Sequence, residues 1–515
     1  MLWKLISGLL ERKNNLELAS AGGTLELGAS LEGQIRQAET LAEAGRLNDA
    51  LERYQTCVQA YPDSVDAYLG MGNVLVDLWS IEDAIAAYEK ALEIAPFSSA
   101  IFSTVLFHSH YLAPVDRERI FERHRRFGEM IRQTRPPRNA GFALTPDPRR
   151  RIRIGYMSPN FSRHSVGYFV EPVIRHHDRK HFEIFCYYTH HLSDETTARI
   201  HRLADGWRDI ADARDDTIET MIRNDGIDIL VDLAGHSKGN RLEIFARKPA
   251  PIQMTWLGYP NTTGLETVDF RITDAVTDPA PGTERLHSER LLRIGGIFLC
   301  YRPPEDSPPV DPHVSPASEV TFSSFNSIAK LNEEMVKVWA KILAAVPGSR
   351  LVIKSASLDY PDTVDRVLDC FVRNGVAPGR VELRAWIMQR EQHLKLYDSI
   401  DIALDTFPYN GTTTTCEAIW MGVPVVSLPG DIHMSRVGAA ILQCAGLHEL
   451  VARNAEDYAA IAIALARDQT RRKLLRVNLR NKLLASPLLD HQGFTTKLEH
   501  EMRQAWTAWC GTMRP

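Results

Sequence analysis

The sequence has few cysteines, and their spacing argues against a protein held together by disulfides or by a structural zinc ion. Seven are present among 515 residues. They are Cys57, Cys186, Cys300, Cys370, Cys416, Cys444 and Cys510. Their number is odd, and they lie too far apart for a disulfide framework or for zinc-ligand spacing. We therefore expect buried thiols in a reducing compartment, and we predict a cytoplasmic location.

Long apolar runs and a basic excess are also missing. No apolar run approaches the roughly 20 residues that a membrane-spanning helix needs. The first ten residues mix apolar side chains with one lysine and lead directly into Glu11 and Arg12, which is the wrong order for a secretory signal. For residues 1–31 we predict a helix and a linker. A helix packed on the protein is favoured over an amphipathic helix on a membrane surface.

The net charge is -5, and lysine and arginine are scattered without interleaved aromatic side chains. Nucleic-acid binders concentrate positive charge, so we expect no nucleic-acid partner. Apolar residues make up 44% of the chain, which is enough for a globular protein. The length predicts several domains, because one domain typically takes roughly 150 residues.

A short repeat occupies the first part of the chain. Three residues recur after 34 positions, which is the tetratricopeptide period: Ala50, Tyr54 and Pro62 return as Ala84, Tyr88 and Pro96. In such repeats the alanine lies where two helices cross closely, the tyrosine fills the groove, and the proline ends the second helix. We predict all-α repeats over residues 32–134, with a third, atypical unit after the first two. They form either a packing platform or a groove that binds a peptide.

Beyond residue 150 the pattern changes to strands alternating with helices, which is typical of parallel sheets covered on both faces. Strands are predicted at residues 153–157, 182–188, 228–233, 252–258 and 270–273, and then at 320–324, 351–354, 381–383, 401–405 and 423–428. A Pro-rich passage, residues 303–316, separates the two series. We predict two doubly wound, Rossmann-like domains, at 150–310 and 317–515, the second with C-terminal helices. This α/β arrangement resembles the GT-B glycosyltransferases, whose ligands lie beyond the carboxyl ends of the strands.

Residues 405–417 have the composition of a phosphate-binding turn. They run from a predicted strand through a Pro/Gly turn into a helix, and Gly411 allows the backbone to approach closely. Thr412, Thr413 and Thr414 bring hydroxyl and amide groups to the helix N-terminus, where the dipole favours an anion. A Gly-Lys-Ser/Thr ending is absent, so this is not a P-loop. We predict that the segment grips a diphosphate, with Glu417 placed to bind a ribose.

Several long motifs resemble glycosyltransferase family 41, the O-GlcNAc transferases and SPINDLY-type transferases. They are LDTFPYNGTTTTCEAIWMGVPVV (404–426), IGYMSPNF (154–161), DGIDILVDLAGHSKG (225–239), PAPIQMTWLGYP (249–260) and FNSIAK (325–330). The resemblance extends over about residues 153–487, and tetratricopeptide repeats ahead of the catalytic part fit it too. It implies the GT-B fold, with the first lobe on the acceptor side and the second binding a nucleotide sugar.

The resemblance also implies roles for particular residues. Lys330 would contact the donor diphosphate and neutralise charge on the leaving nucleotide. His164 would border the acceptor and the sugar as a candidate base. Apart from the resemblance, Asp225 is a second, weaker candidate for handling the proton, although an aspartate before a glycine is also an ordinary turn residue. Two further pairs of residues would also contact the donor. Arg390 and His393 belong to the stretch that contacts the base and ribose, and Asn326 and Ser327 lie shortly before Lys330.

The donor itself is left open by departures from the family pattern. Animal O-GlcNAc transferases have a histidine where this chain has Thr412, and an aspartate where it has Glu417. The threonine run is closer to the SPINDLY type, which uses GDP-fucose. We therefore expect a donor of the UDP-GlcNAc or GDP-fucose type and no other cofactor. No Asp-x-Asp pair occurs in the chain, so no metal is expected, and a lysine and a helix N-terminus must supply the positive field.

We predict an inverting, metal-independent glycosyltransferase that modifies Ser or Thr of a protein, with the repeats as a candidate reader of that protein. Two alternatives remain open. The acceptor can instead be an Asn side chain, a glycan or a small molecule, because two repeats form little of a channel. The chain can also be a repeat-based interaction protein with degenerate transferase lobes. The oligomeric state is not predicted.

Overall fold

The computed structural model describes residues 30–138, 141–142 and 144–513. Apart from Ser30 and Leu31, the N-terminal helix and linker predicted for residues 1–31 lie outside the described residues. Ser30 caps the first described helix, because its hydroxyl accepts a hydrogen bond from the Gly33 amide at 3.3 Å. Within the described ranges, no helix has the length and apolar content needed to cross a membrane.

The first four helices form two helical hairpins, as the repeat predicted. They are α1 (Leu31–Glu43), α2 (Leu47–Ala60), α3 (Val65–Asp77) and α4 (Ile81–Ile94). Ala50 and Ala84 are completely buried where the helices cross. The Tyr54 ring packs on Gly70, where an added Cβ would lie 2.4 Å from the ring. The 34-residue pattern thus records a close approach between helices that only small residues allow.

The next helical unit packs on the first α/β lobe. It comprises α5 (Ser99–His108), a 3₁₀ turn (Ser109–Tyr111) and α6 (Arg117–Thr134). Gly128 on α6 approaches so closely that an added Cβ would lie 1.9 Å from the Gly264 carbonyl oxygen. Gly264 itself has φ +78°, a left-handed conformation that favours glycine. The backbones of the repeat region and the first lobe therefore touch at these two glycines.

The first lobe contains a parallel sheet of seven strands within the described residues, in the order β3-β2-β1-β4-β5-β6-β7. The strands are β1 (Ile152–Ser158), β2 (Phe182–Tyr188), β3 (Gly206–Asp209), β4 (Ile229–Asp232), β5 (Ile252–Thr255), β6 (Phe270–Thr273) and β7 (Arg290–Arg293). The intervening helices are α7 (Ser165–His176), α8 (Glu195–Leu203), α9 (Asp215–Asn224) and α10 (Leu242–Ala246). All five strands predicted for this lobe are present, and the edge strands β3 and β7 were not predicted.

The second lobe contains a parallel sheet of five strands in the described part of the chain, in the order β10-β9-β8-β11-β12. The strands are β8 (Thr321–Ser324), β9 (Arg350–Lys354), β10 (Val381–Arg384), β11 (Ile402–Leu404) and β12 (Val425–Val426). The helices are α11 (Glu333–Ala345), α12 (Pro361–Arg373), α13 (Arg390–Lys395), α14 (Thr413–Trp420), α15 (Val437–Cys444), α16 (Ala455–Arg467), α17 (Gln469–Leu484) and α18 (His491–Thr512). The predicted doubly wound architecture is confirmed in both lobes.

Helix α18 returns from the second lobe to the first. Its Glu499 pairs with His177 Nδ1 at 2.9 Å, and its Phe494 ring stacks on Trp256 of the first lobe. A second contact between the lobes joins His433 Nδ1 to the buried Asp278 carboxylate at 2.7 Å. These contacts fix how the carboxyl edges of the two sheets face each other.

Candidate active site

The segment between β11 and α14 is organised by one buried carboxylate. Asp405 Oδ1 accepts hydrogen bonds from the amides of Thr406 and Gly411 at 2.9 and 2.7 Å. Its other oxygen accepts from the Ser427 hydroxyl at 2.6 Å. Burial raises the pKa of this carboxyl, while these hydrogen bonds and the nearby Lys330 ammonium oppose that shift. Asp405 therefore folds the turn back onto itself and fixes where α14 begins.

Gly411 lies at the tightest point of this turn. An added Cβ would come within 2.3 Å of Thr414 Oγ1 and 2.8 Å of Asn326 Oδ1. Those two atoms are themselves hydrogen-bonded at 3.0 Å, so the start of α14 is tied to the segment that follows β8. A side chain at position 411 would separate them. The absence of a side chain at Gly411 therefore allows the contact between Thr414 and Asn326, and the close approach of this glycine to a diphosphate stays a prediction.

The N-terminus of α14 has the groups of an anion site. Thr412 is the N-cap residue, and its side chain makes no capping hydrogen bond. The Thr413 hydroxyl is buried and has no hydrogen-bond partner among the described residues. The Ser324 hydroxyl, at the carboxyl end of β8, is buried and unpartnered in the same way. Buried polar groups are normally paired, so unpaired hydroxyls beside an uncapped helix start indicate a place for a polar ligand.

Lys330 lies against the same turn. Its ammonium donates to the Asn410 carbonyl oxygen at 2.9 Å and lies 3.9 Å from the centroid of the Tyr409 ring. Burial lowers the pKa of Lys330, and the Asp405 carboxylate opposes the shift. The structure therefore brings the lysine and the threonine run together, as the motifs implied. Ser327, in contrast, is exposed beside them.

Arg390, His393 and Glu417 form the neighbouring part of the site. His393 Nε2 lies 3.0 Å from Glu417 Oε2, so the carboxylate orients the ring. His393 Nδ1 is buried without a partner among the described residues, as are Nε and one terminal nitrogen of Arg390. The Arg390 guanidinium lies 4.3 Å from the ring centroid of Tyr168 in the first lobe, so it bridges the cleft.

Lys354 and Trp386 extend the site and were not predicted. Lys354 ends β9 and is 1% exposed, and its ammonium lies 4.4 Å from the Trp386 ring centroid and 5.5 Å from that of Phe325. It donates no hydrogen bond to a residue that the structure describes. Burial lowers its pKa to about 8, although the Glu417 carboxylate acts in the opposite direction. A lysine that ends a buried strand at the ligand edge was the signal that could have identified it.

His164 lies at the start of α7, just past the carboxyl end of β1. Its Nδ1 accepts a hydrogen bond from the Val166 amide at 3.2 Å. Burial lowers the pKa of His164 to about 4, so the ring is neutral near pH 7. With Nδ1 acting as acceptor, Nε2 carries the hydrogen and is a donor. In this state His164 can hold an oxygen of a substrate, but it cannot take a proton at Nε2.

Asp225 is not brought to the site, and its suggested role in proton handling needs correction. It caps the end of α9 and precedes the amino end of β4, whereas the other candidates follow carboxyl ends of strands. Arg208 donates to both carboxylate oxygens at 3.1 and 2.6 Å, and the Tyr187 hydroxyl donates at 2.8 Å. Asp225 is thus a structural residue with its hydrogen-bonding capacity in use. No group of three or more potential metal ligands occurs in the described ranges.

The fold and the site define a protein of the GT-B class, with two parallel-sheet lobes and a cluster of basic and hydroxyl side chains at the edge of the second. Sequence comparison agrees with this class. The glycosyl transferase family 41 model matches residues 108–300 and 312–498, and a tetratricopeptide repeat model matches residues 41–104. The chain belongs to glycosyl transferase family 41.

The chain is similar to several described relatives. It is 40% identical over 81% of its length to a Petunia hybrida protein named as a probable UDP-N-acetylglucosamine–peptide N-acetylglucosaminyltransferase SPINDLY, covering 45% of that protein. It is 30% identical over 71% of its length to the Arabidopsis thaliana protein SEC, which has the same enzyme name, covering 38% of it. The chain thus spans about half the length, or less, of these curated relatives.

A solved structure matches nearly all of the chain. It is a mutant of the Thermobaculum terrenum O-GlcNAc transferase, with 37% identity and a TM-score of 0.88. The match covers 94% of this chain and 92% of that one. The helical repeats and both lobes therefore occur together in a protein of similar length.

Proposed function

We propose that the chain transfers a sugar from a nucleoside diphosphate donor to a Ser or Thr hydroxyl of a protein. One observation carries the proposal: the Lys330 ammonium contacts the turn that leads into the uncapped start of α14, where the Thr413 hydroxyl has no partner among the described residues. A cation, helix amides and free hydroxyls suit a diphosphate that gains charge as the sugar leaves. The names of the relatives support N-acetylglucosamine as the sugar.

The order of the strands supports a donor that lies along the carboxyl edge of the second sheet. The threonine run follows β11, Lys330 follows the adjacent β8, Lys354 ends β9, and Trp386 follows β10. A diphosphate at β11 and β8 places the nucleoside toward β9 and β10, where the unpartnered nitrogens of Arg390 and His393 also lie. Ligands of doubly wound sheets bind along this edge.

The part of the site near β9 and β10, where the nucleoside would lie, presents hydrogen-bond donors. The lysine ammonium and the arginine guanidinium only donate, and Glu417 is engaged by His393. Uracil and guanine carry a carbonyl oxygen where cytosine and adenine carry an amino group. These donor groups therefore favour a nucleotide sugar with a uracil or guanine base, which includes both UDP-GlcNAc and GDP-fucose.

In the proposed reaction the bond between the sugar C1 and the diphosphate oxygen breaks, and its electron pair remains on the diphosphate. The acceptor hydroxyl oxygen bonds to C1 from the opposite face, so the configuration at C1 is inverted. Lys330 and the threonine run hold the departing charge without a metal. His164 binds a substrate oxygen through its Nε2 hydrogen, and the hydroxyl proton leaves through water.

The experiment that tests the function supplies the purified chain with each donor and with protein extract. We expect mass spectrometry to find a one-sugar increment on Ser or Thr with UDP-GlcNAc. Thr412, which stands where animal O-GlcNAc transferases have a histidine, makes GDP-fucose the second donor to test. Sugar on Asn, on a glycan or on a small molecule would overturn the acceptor assignment. Absence of transfer and of UDP and GDP binding would favour an interaction protein.

Replacing Lys354 tests the nucleoside end. We expect Lys354→Met to weaken UDP or GDP binding about tenfold in calorimetry, because a desolvated cation beside the base contributes about 1–2 kcal/mol. Methionine keeps most of the apolar stem, so folding should persist. Lys341→Met, an exposed position on α11, is the matched control and should bind normally. Equal affinity of both variants for the nucleotide would exclude Lys354 from the donor site.

A further inference from the structure

The turn that carries Lys330 is packed against the helical repeats. Ala329 is buried in one apolar cluster with Ile81 and Ile85 of α4. Immediately after Lys330, the Leu331 carbonyl oxygen accepts a hydrogen bond at 2.7 Å from the indole nitrogen of Trp79, in the turn before α4. Both neighbours of the lysine are therefore held by the repeat region.

The ring on which the Lys330 ammonium rests is also held from the repeat region. Tyr111, at the end of the 3₁₀ turn between α5 and α6, stacks on Tyr409 with ring centroids 5.6 Å apart and planes at 22°. His110 meets the same ring edge-on at 6.5 Å, and its Nε2 is fixed by the Asn261 amide at 2.9 Å. The Lys330 ammonium is 3.9 Å from the centroid of Tyr409.

We propose that the repeat helices are a structural part of the donor site, and that Tyr111 is the residue that positions Lys330. Tyr111 holds the Tyr409 ring by stacking, and the ring holds the ammonium through its negative face. A lysine side chain has several freely rotating bonds, so a platform that fixes it lowers the entropy lost when a diphosphate binds. This inference rests on the proposed function, because it needs a nucleotide at Lys330.

The proposal distinguishes Tyr111 from the rest of the repeat–lobe interface. Ser103, on α5, bonds the His236 ring of the first lobe at 2.9 Å, and the structure shows no contact between Ser103 and Tyr409. Ser103→Ala therefore loosens the interface at another point. Tyr111→Phe keeps the stacked ring and removes only the hydroxyl. These variants separate a positioning role from a loss of stability.

The test is calorimetry of the full chain with UDP and with GDP, alongside thermal unfolding of each variant. We expect Tyr111→Ala to weaken nucleotide binding about threefold to tenfold, the range of an aromatic–cation contact. Tyr111→Phe should retain the affinity of the unaltered chain, and Ser103→Ala should retain it even where its unfolding temperature falls.

The outcomes are distinct. Unchanged affinity in Tyr111→Ala would overturn the positioning role, while the diphosphate site would stand. An equal loss in Ser103→Ala would show that general loosening, and not Tyr111, sets the affinity. Failure of the unaltered chain to bind either nucleotide would overturn the proposed function, and the inference would fall with it.

Discussion

Lys330→Ala should reduce sugar transfer at least about a hundredfold, the scale of losing a preorganised charge at a leaving group. The diphosphate gains negative charge as the C1–oxygen bond breaks, and the Lys330 ammonium donates to the carbonyl oxygen of Asn410, two residues before the threonine run. Folding should survive, because Asp405 keeps its hydrogen bonds from Gly411, Thr406 and Ser427. The measurement is the initial rate of transfer, with circular dichroism and thermal unfolding as checks of the fold.

Two companion variants make this result specific. Lys330→Met keeps the volume of the side chain and should be as inactive as the alanine variant. Lys341→Ala removes an exposed lysine from α11, on the helix that follows the Lys330 turn, and should be fully active. A rate near that of the unaltered chain in Lys330→Met would refute the assignment of Lys330 to the leaving group.

The fold was largely predictable because both lobes consist of buried strands with continuous apolar character. The exceptions are instructive. β3 (Gly206–Asp209) and β7 (Arg290–Arg293) lie at the two edges of the first sheet and carry polar side chains. Their pairing depends on the neighbouring strand, which sequence periodicity does not reveal. The return of α18 to the first lobe through Glu499 is equally non-local.

The candidate site likewise has a part that local sequence predicts and a part that only the fold creates. The threonine run and Gly411 have a local chemical signature, so their place at a strand-to-helix turn could be predicted. Lys354 has only a weak signal, its place at the end of a predicted buried strand. A lysine there is ordinarily solvated, and only the fold places its ammonium against the Trp386 ring. Asp225 shows the reverse error. An Asp-Gly pair in a resembling motif suggested chemistry, but the fold uses its carboxylate to bind Arg208.

The repeats show why neither of their two predicted roles can be judged by sequence. The 34-residue period predicts how α1 to α4 pack on each other, but not what their outer surface meets. In the folded chain that surface meets the Lys330 turn at Ala329 and Leu331. A packing contact between the repeats and the second lobe is thus present, while the peptide-binding groove stays a prediction.

A set of buried histidines between the repeats and the first lobe predicts marked acid sensitivity. His110, His124 and His236 are at most 2% exposed. His110 Nδ1 donates to the Leu106 carbonyl oxygen while its Nε2 accepts from Asn261, so the ring is neutral. Burial lowers the pKa of His110 to about 4, and the nearby Arg271 guanidinium acts in the same direction. Burial also lowers the pKa of His236 to about 3 and that of His124 well below its ordinary value.

The direction in which pH changes the unfolding free energy follows from proton uptake on unfolding. A folded-state pKa below the unfolded value means that the unfolded chain binds more protons, so stability is present above the unfolded pKa and is lost as pH falls. The window therefore runs from the unfolded histidine pKa of about 6.5 down to about 4. Between pH 7 and pH 5 we expect each of His110 and His236 to cost about 2 kcal/mol of unfolding free energy.

Denaturant unfolding at a series of pH values between these limits measures the effect. Other buried groups titrate in the same range, so the comparison that decides is between variants. His110→Gln removes one proton acceptor, and its unfolding free energy should fall less steeply toward acid even if it is lower at pH 7. His313→Gln, at an exposed position, should keep the slope of the unaltered chain. If His110→Gln kept that slope as well, protonation of His110 would be excluded as a source of the acid sensitivity.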